Sequence, residues 1–334
     1  MTGGTSSLPN EQDAARIVQK VLNENVLTVN RFPTGACHFV YDVVTEKGRN
    51  VVARISWPQN KHFLVGAMYW YSLLKPKGLP LPTIISHDTE AAHSAFPSMV
   101  LERFPGKDLG AVYSQLSRDQ KKVLADEITR LQDVTGSLPL GKGFGFVGCY
   151  ESDSFHRTWT DFLCSLLERS RSRIQAVGIM DVRQVDRVAK KLDNYSSYFA
   201  QIAPRCFLDD ITTRNVIVDD GKLSGIVDVD FVCFGDKLLT TALTQMSLIN
   251  MRADLDYIEY WCEAASVTEQ QREVLAFYTA LFCVDFMGEL GQRFNKDRPE
   301  SINTERVGWL NDALDKMLDN FSPHKAVSLI TART

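Results

Sequence analysis

Between residues 206 and 230 the chain reads CFLDDITTRNVIVDDGKLSGIVDVD, and three oxygen-bearing side chains in it are spaced for chemistry. Residues 216–218 and 225–227 are short apolar runs joined by the turn-forming Asp219-Asp220-Gly221-Lys222, which predicts two strands of a hairpin. If the runs pair antiparallel, Asn215 just before the first and Asp228 just after the second leave the hairpin at its same open end. An amide oxygen and a carboxylate brought together suit Mg²⁺, which takes one or two carboxylates and completes its shell with phosphate oxygens and water. Asp210, in the loop leading to that end, could accept a proton from an attacking hydroxyl. Each of the three alone is also an ordinary turn or cap residue, because Asp and Asn side chains bond readily to nearby backbone. Their order and spacing together favour the chemical reading.

These side chains need elements to hold them. Apolar positions 15, 17, 18, 21 and 22 fit one helical face, predicting an opening helix over 11–22. Residues 39–45 and 51–56 are rich in β-branched and aromatic side chains around a turn at 46–50, and read as a hairpin. A glycine turn at 33–36 precedes it. A helix is expected over 61–74, ended by the breaker-rich KPKGLPLP, with short strands near 83–86 and 98–103. Beyond residue 104 the texture is helical. Ser117 with Gln120, and Thr268 with Gln271, form capping-box patterns before apolar-periodic segments, and 155–173 and 182–199 carry helical periodicity. The expected architecture is α+β and two-lobed. A small β-rich N-terminal lobe occupies 1–103, its first ten residues flexible, and a larger, mainly helical lobe with an inserted β-hairpin occupies 104–334.

Composition removes several classes of function. A chain of 334 residues that is 44% hydrophobic can bury a core spanning two lobes. Its formal charge of -4, with Lys and Arg scattered, lacks the basic footprint of a nucleic-acid binder. The seven cysteines are far apart and form no CxxC pair, which suits reduced thiols in a cytoplasmic protein. No basic-then-apolar leader and no run of membrane-spanning length is visible, so neither nucleic acid nor membrane is an expected partner.

The pattern Asp210-x-x-x-x-Asn215, a short hairpin, then an apolar residue and Asp228 resembles the catalytic and metal-binding segment of aminoglycoside phosphotransferases and choline-kinase-like enzymes, relatives of protein kinases. The resemblance implies a protein-kinase-like fold and transfer of phosphate from ATP or GTP, with Mg²⁺, to a hydroxyl of a small molecule. Asp210 would be the catalytic base, and Asn215 and Asp228 the magnesium ligands. Other pieces stand in the family's order. The turn with Gly35 lies where the phosphates are covered, Arg54 where the third strand carries its cation, and Met99 to Phe104, with Glu102 and Phe104 as its site residues, where backbone groups hold the adenine. Gly106-Lys107-Asp108-Leu109 is similar to the family's Gly-x-Asp-Leu, and Gly235-Asp236 to its Gly-Asp. Asp236 is expected to cap the next helix.

Three departures accompany the likeness. Leu208 stands where the family places a His, so that residue's loop-bracing hydrogen bonds are expected to be missing. Arg54 replaces a Lys, which is not an equivalent exchange. The Glu that usually partners this cation would fall at Gly66, and 61–74 contains no acid. The alternative is therefore a pseudoenzyme that binds nucleotide or a partner without transfer. Asp230 could assist the metal or be an exposed charge or cap. Asp285 and Glu289, at helical spacing after Leu281, are candidates for an acceptor pocket taking a cationic or polyhydroxylated compound, or for ion pairs with Arg293 or another base. The acceptor's identity is left open, and so is the choice between monomer and dimer.

Overall fold

The computed structural model describes residues 8–32, 37–292, 294 and 303–319. Helix α1 (Glu11–Leu22) starts at Asn10, whose side chain accepts from the backbone of Asp13 while the Asp13 carboxylate accepts from the backbone of Asn10. Strands β1 (Val26–Arg31), β2 (Phe39–Thr45) and β3 (Asn50–Ile55) come next, then α2 (Lys61–Leu74), β4 (Ile84–Asp88) and β5 (Ser98–Glu102). The five strands form one antiparallel sheet in the order β1-β2-β3-β5-β4, with β3 at its centre.

Side chains alternate along β3, and that alternation assigns its two faces. Val51, Ala53 and Ile55 pack with Ala14, Ile17 and Val18 of α1 in a small core. The opposite face, with Val52, Met99 and Leu101, joins Leu64, Ala67, Trp70 and Leu74 of α2 in the large core. Arg54 shares this second face. Helix α2 is tied to a later part of the chain, because the buried Trp70 indole donates to the Val147 carbonyl at 2.9 Å.

The rest is mainly helical. β6 (Lys107–Asp108) and the short α3 (Leu109–Val112) lead to α4 (Arg118–Gly136), which begins with the Ser117/Gln120 capping box. After β7 (Gly145–Val147) comes α5 (Trp159–Val177), opened by a Thr158/Asp161 capping box. The single helix expected over 182–199 is broken instead into α6 (Arg183–Ala189), a 3₁₀ turn over Leu192–Tyr195 and α7 (Ser196–Phe199). Asp193, Asn194, Ser196 and Ser197 are the reason. Their short polar side chains compete for backbone partners, and they weaken the helix where apolar spacing alone would continue it.

β8 (Arg205–Phe207), β9 (Val216–Asp219), β10 (Lys222–Ile226) and β11 (Val232–Gly235) interrupt the helices. The hairpin β9/β10 turns through Asp220 and Gly221, whose φ values of 47° and 73° give the turn that matches strand twist. β9 also pairs with β6, while β11 lies between β7 and β8. The chain continues through α8 (Leu238–Asn250), α9 (Asp256–Ala264), α10 (Glu269–Glu289), which starts at the Thr268/Gln271 box, and α11 (Thr304–Asp319). No helix among the described residues is long and apolar enough to cross a membrane.

Candidate active site

The segment from Leu208 to Asn215 joins β8 to β9 and is fastened at several points. Leu208 is buried, and both its backbone groups are taken by one side chain. Gln132 of α4 accepts from the Leu208 N–H at 2.9 Å and donates to its carbonyl at 2.8 Å. Leu208 carries no side-chain hydrogen bond such as a His would make there, and a buried amide on a neighbouring helix holds its backbone instead. Thr213 bonds to Ser247 of α8, and the Gly110 N–H donates to the Thr213 carbonyl. Replacing Gln132 with Leu would strand a buried N–H and C=O, at about 1–3 kcal/mol each. We expect Gln132→Leu to lower the melting temperature and to slow turnover about tenfold. Calorimetry and steady-state kinetics on the same preparation check this.

The hairpin places the three sequence-selected residues together. The Val227 N–H donates to the Asn215 carbonyl at 2.9 Å, which carries the ladder one step past Ile226 and Val216 and brings Asn215 beside the residue preceding Asp228. The Asn215 amide nitrogen donates to the Asp210 carbonyl at 2.8 Å, so its amide oxygen is left as an acceptor. Thr212 donates its hydroxyl to the Asp210 carboxylate at 3.0 Å. Crowding by the surrounding protein, and then the negative charge of Asp228, push the Asp210 carboxyl upward from its ordinary value. Its side chain is open to the cleft, where water screens part of that push. Asp228 stands in the left-handed region, with φ of 65°, a conformation Asp adopts more readily than most residues.

Arg54 lies opposite. Its Nη2 donates to Asp228 Oδ1 and to Asp230 Oδ2, both at 2.7 Å, and His38 Nε2 lies 2.8 Å from the same Asp230 oxygen. Asp230 is neither an exposed charge nor a helix cap. It is 6% exposed, and Arg54 and His38 are buried with it. Burial opposes its ionisation, but the guanidinium and then His38 outweigh that and hold its carboxyl at about 2. Asp228, by contrast, has a side chain that is 45% exposed, so it can meet a ligand from solvent beside its bond to Arg54. Among the described residues no group of three or more His, Cys, Asp or Glu is arranged to hold a metal on its own. An amide oxygen and one accessible carboxylate nevertheless fit Mg²⁺, for which phosphate oxygens and water fill the remaining positions.

The other selected residues have varied surroundings. Gly35 lies outside the described residues. Glu102 ends β5, and its carboxylate accepts from the backbone and hydroxyl of Thr83 at 3.0 and 2.7 Å, while its own N–H donates to the Thr83 carbonyl. The Phe104 ring lies over Gly225 of the hairpin, where an added Cβ would come within 2.2 Å of it. Gly106 has φ of 93° and approaches the Val218 carbonyl so closely that a Cβ would sit 2.2 Å away, which admits only glycine. Asp108 caps α3 by accepting from the Ala111 N–H. Asp236 accepts from the Leu238 N–H and from the hydroxyls of Tyr198 and Tyr278. Asp285 and Glu289 part company. Asp285 is buried against Arg169, Arg173 and Ser170, which is the ion-pair alternative with bases other than Arg293, a residue outside those described. Glu289 is half-buried, and its charge is among those that raise Asp210.

The sequence matches the model of the phosphotransferase enzyme family, APH, over residues 28–278. The chain belongs to that family. No curated protein matches it. Among solved structures, this phosphotransferase-family chain is similar to a thermostable mutant of aminoglycoside phosphotransferase APH(4)-Ia in ternary complex with ADP and hygromycin B, with a TM-score of 0.63, 18% identity, and coverage of 96% of this chain and 100% of that one. It is also similar to a mutant aminoglycoside 2'-phosphotransferase-IIIa bound to GDP, at TM-score 0.66 and 12% identity over 93% and 98% of the two chains. A third likeness is to APH(2")-IIa with streptomycin and ATP, at TM-score 0.62 and 11% identity over 93% and 99%. These likenesses show the fold of this family member to be two-lobed and protein-kinase-like, as the sequence predicted. The sequence reading passed over Gln132 and His38. Neither residue type has a local signature, and their contacts with Leu208 and Asp230 cross 76 and 192 residues.

Proposed function

We propose that the chain transfers the terminal phosphate of ATP or GTP to a hydroxyl of a small molecule, with residues up to about 103 forming the nucleotide lobe. The observation that carries this reading is the meeting of Asp210, Asn215 and Asp228 at one hairpin end, facing Arg54. Asp210 orients the acceptor hydroxyl and takes its proton as the oxygen bonds to phosphorus, and the departing nucleoside diphosphate keeps the electrons of the broken P–O bond. Arg54 steadies the phosphates from the strand above. A divalent cation held by Asn215 and Asp228 would neutralise phosphate charge. Phosphoryl transfer depends mainly on such placement and charge stabilisation, so a loop clamped by Gln132 serves it directly.

The pseudoenzyme alternative draws on Leu208 and Gly66. Gln132 offsets the first, and the buried acid beside Arg54 offsets the second. We therefore favour turnover. The test is a screen of hydroxylated metabolites and aminoglycosides with ATP or GTP, with and without Mg²⁺, monitoring the phosphorylated product. Transfer that needs Mg²⁺ supports the proposal. Nucleotide binding with no transfer to any acceptor would favour the scaffold instead.

Hygromycin B and streptomycin, the compounds bound in two structural neighbours, make polyhydroxylated cations a sensible first panel. Glu289 is the acid to meet them, since Asp285 is held in direct ion pairs by two arginines that act on Glu289 only through their charge. Glu289→Gln should raise KM for a cationic acceptor about tenfold with little change in stability. Asp285→Asn, which unpairs Arg169 and Arg173, should lower the melting temperature instead. Equal effects of the two substitutions on KM would sink this division of roles.

A further inference from the structure

We propose that Asp230 is the positioning residue for Arg54, doing from the segment after Asp228 what an acid on the helix following the third strand does in the resembled pattern, with His38 fixing Asp230 in turn. The proposal rests on the phosphotransfer reading above and adds a residue to its nucleotide site. Asp230 Oδ2 is the meeting point of two donors, Arg54 Nη2 at 2.7 Å and His38 Nε2 at 2.8 Å, and all three residues are at most 6% exposed. A charge-assisted hydrogen bond of this kind, shielded from water, holds the guanidinium nitrogen against one carboxylate oxygen. Asp228 shares the same Arg54 nitrogen but faces the cleft, so it can turn to a cation while Arg54 keeps its anchor. Arg54 Nη1 is buried and makes no hydrogen bond. One prong of the fork is thus held by Asp230 while the other is buried without a partner, an asymmetry that a lysine could not reproduce.

The missing acid on α2 and the presence of Asp230 are one packing fact. A Cβ at Gly66 would stand 2.1 Å from the Asp230 carbonyl oxygen and 3.5 Å from Gly148 Cα, both backbone atoms. Helix α2 therefore presses on the Asp230 main chain at the very place where it would otherwise carry a carboxylate. His38 completes the arrangement. It precedes β2, and its ring sits edge-on to Phe63 of α2 at 5.8 Å. Strand β3, helix α2 and the start of β2 consequently converge on one carboxylate supplied by the larger lobe.

The experiment is a double-mutant cycle of Arg54→Lys and Asp230→Asn in the full chain, read by the affinity of a fluorescent ADP analogue with Mg²⁺ and by melting temperature. Each single substitution should weaken the analogue by roughly tenfold or more, and the double variant should be no weaker than the worse single one, because the two residues act as a unit. The half-saturating Mg²⁺ concentration should stay unchanged in Asp230→Asn. Additive losses would overturn the proposal, as would a lowered melting temperature with analogue affinity intact. An Mg²⁺ requirement that rises on Asp230→Asn even in the Arg54→Lys background would make Asp230 a metal ligand instead, and would equally overturn it. Should Asp230→Asn fail to fold, His38→Phe removes only the outer donor. It should weaken the analogue several-fold in the otherwise native chain and not at all beside Arg54→Lys; equal losses in the two backgrounds would refute the coupling. A native chain that binds no analogue at all defeats the phosphotransfer reading itself, and this proposal with it.

Discussion

Asp210→Asn should cut turnover by roughly 10²- to 10⁴-fold, the usual contribution of a positioned general base, while leaving nucleotide affinity within a few-fold of the native value. The substitution is nearly isosteric. Its amide oxygen can still accept from the Thr212 hydroxyl, and the Asp210 main-chain carbonyl that accepts from the Asn215 amide is untouched by the substitution. The loop should therefore keep its shape, with Gln132 still clasping Leu208. The capacity to take a proton is lost. The measurement is kcat beside an independent nucleotide titration, with a melting curve to show that the fold persists. Native-like turnover in this variant would remove Asp210 from the chemistry, and a parallel loss of nucleotide binding would show its role to be structural.

Gly66→Glu should be the second large effect, in the direction opposite to what family resemblance suggests. Writing the usual acid back into α2 looks like a repair. The packing says otherwise, because the new Cβ would overlap the Asp230 carbonyl at 2.1 Å and crowd its carbon at 3.3 Å. Backbone cannot step aside as the tip of a side chain can. Overpacking of this kind typically costs about 1–3 kcal/mol, and the added carboxylate would enter a buried site beside two other acids. We expect a clearly lower melting temperature and nucleotide binding weakened by tenfold or more, with Gly66→Ala showing a smaller loss of the same sign. A mid-helix glycine ordinarily sacrifices about 1 kcal/mol relative to alanine, so a stabilising Gly66→Ala would be the normal outcome anywhere else. Finding it here would show that α2 does not rest on the Asp230 main chain.

Much of this molecule is legible in residue order, and the reasons are local. Helix α2 is legible because a breaker-rich run closes it, and α4 and α10 because Ser117/Gln120 and Thr268/Gln271 announce their first turns. The hairpin bearing Asn215 and Asp228 is legible from its Asp-Gly turn and flanking apolar residues. Strands β7, β8 and β11 are not. They are three or four residues long and exist only because Val232 to Gly235 pairs with two distant segments, a fact without any periodic trace. Asp230 misleads for a related reason. An acid in a loop is exposed by default, and only the approach of Arg54 and His38 from far earlier in the chain makes its burial tolerable. Gln132 looks like one more polar position on a helix, and its clasp on Leu208 is invisible until the two elements meet.

The anchoring of Trp70 to Val147 has an outcome for control. In a two-lobed kinase the helix after the third strand can serve as a lever that swings away to silence the enzyme. Here that lever is nailed to the larger body by a buried indole and by a glycine seated on the opposite main chain. Releasing it would expose Trp70 to water and abandon an interior hydrogen bond, so swinging α2 outward carries a free-energy cost. If the chain turns over as proposed, it should do so without first having to bring this helix inward.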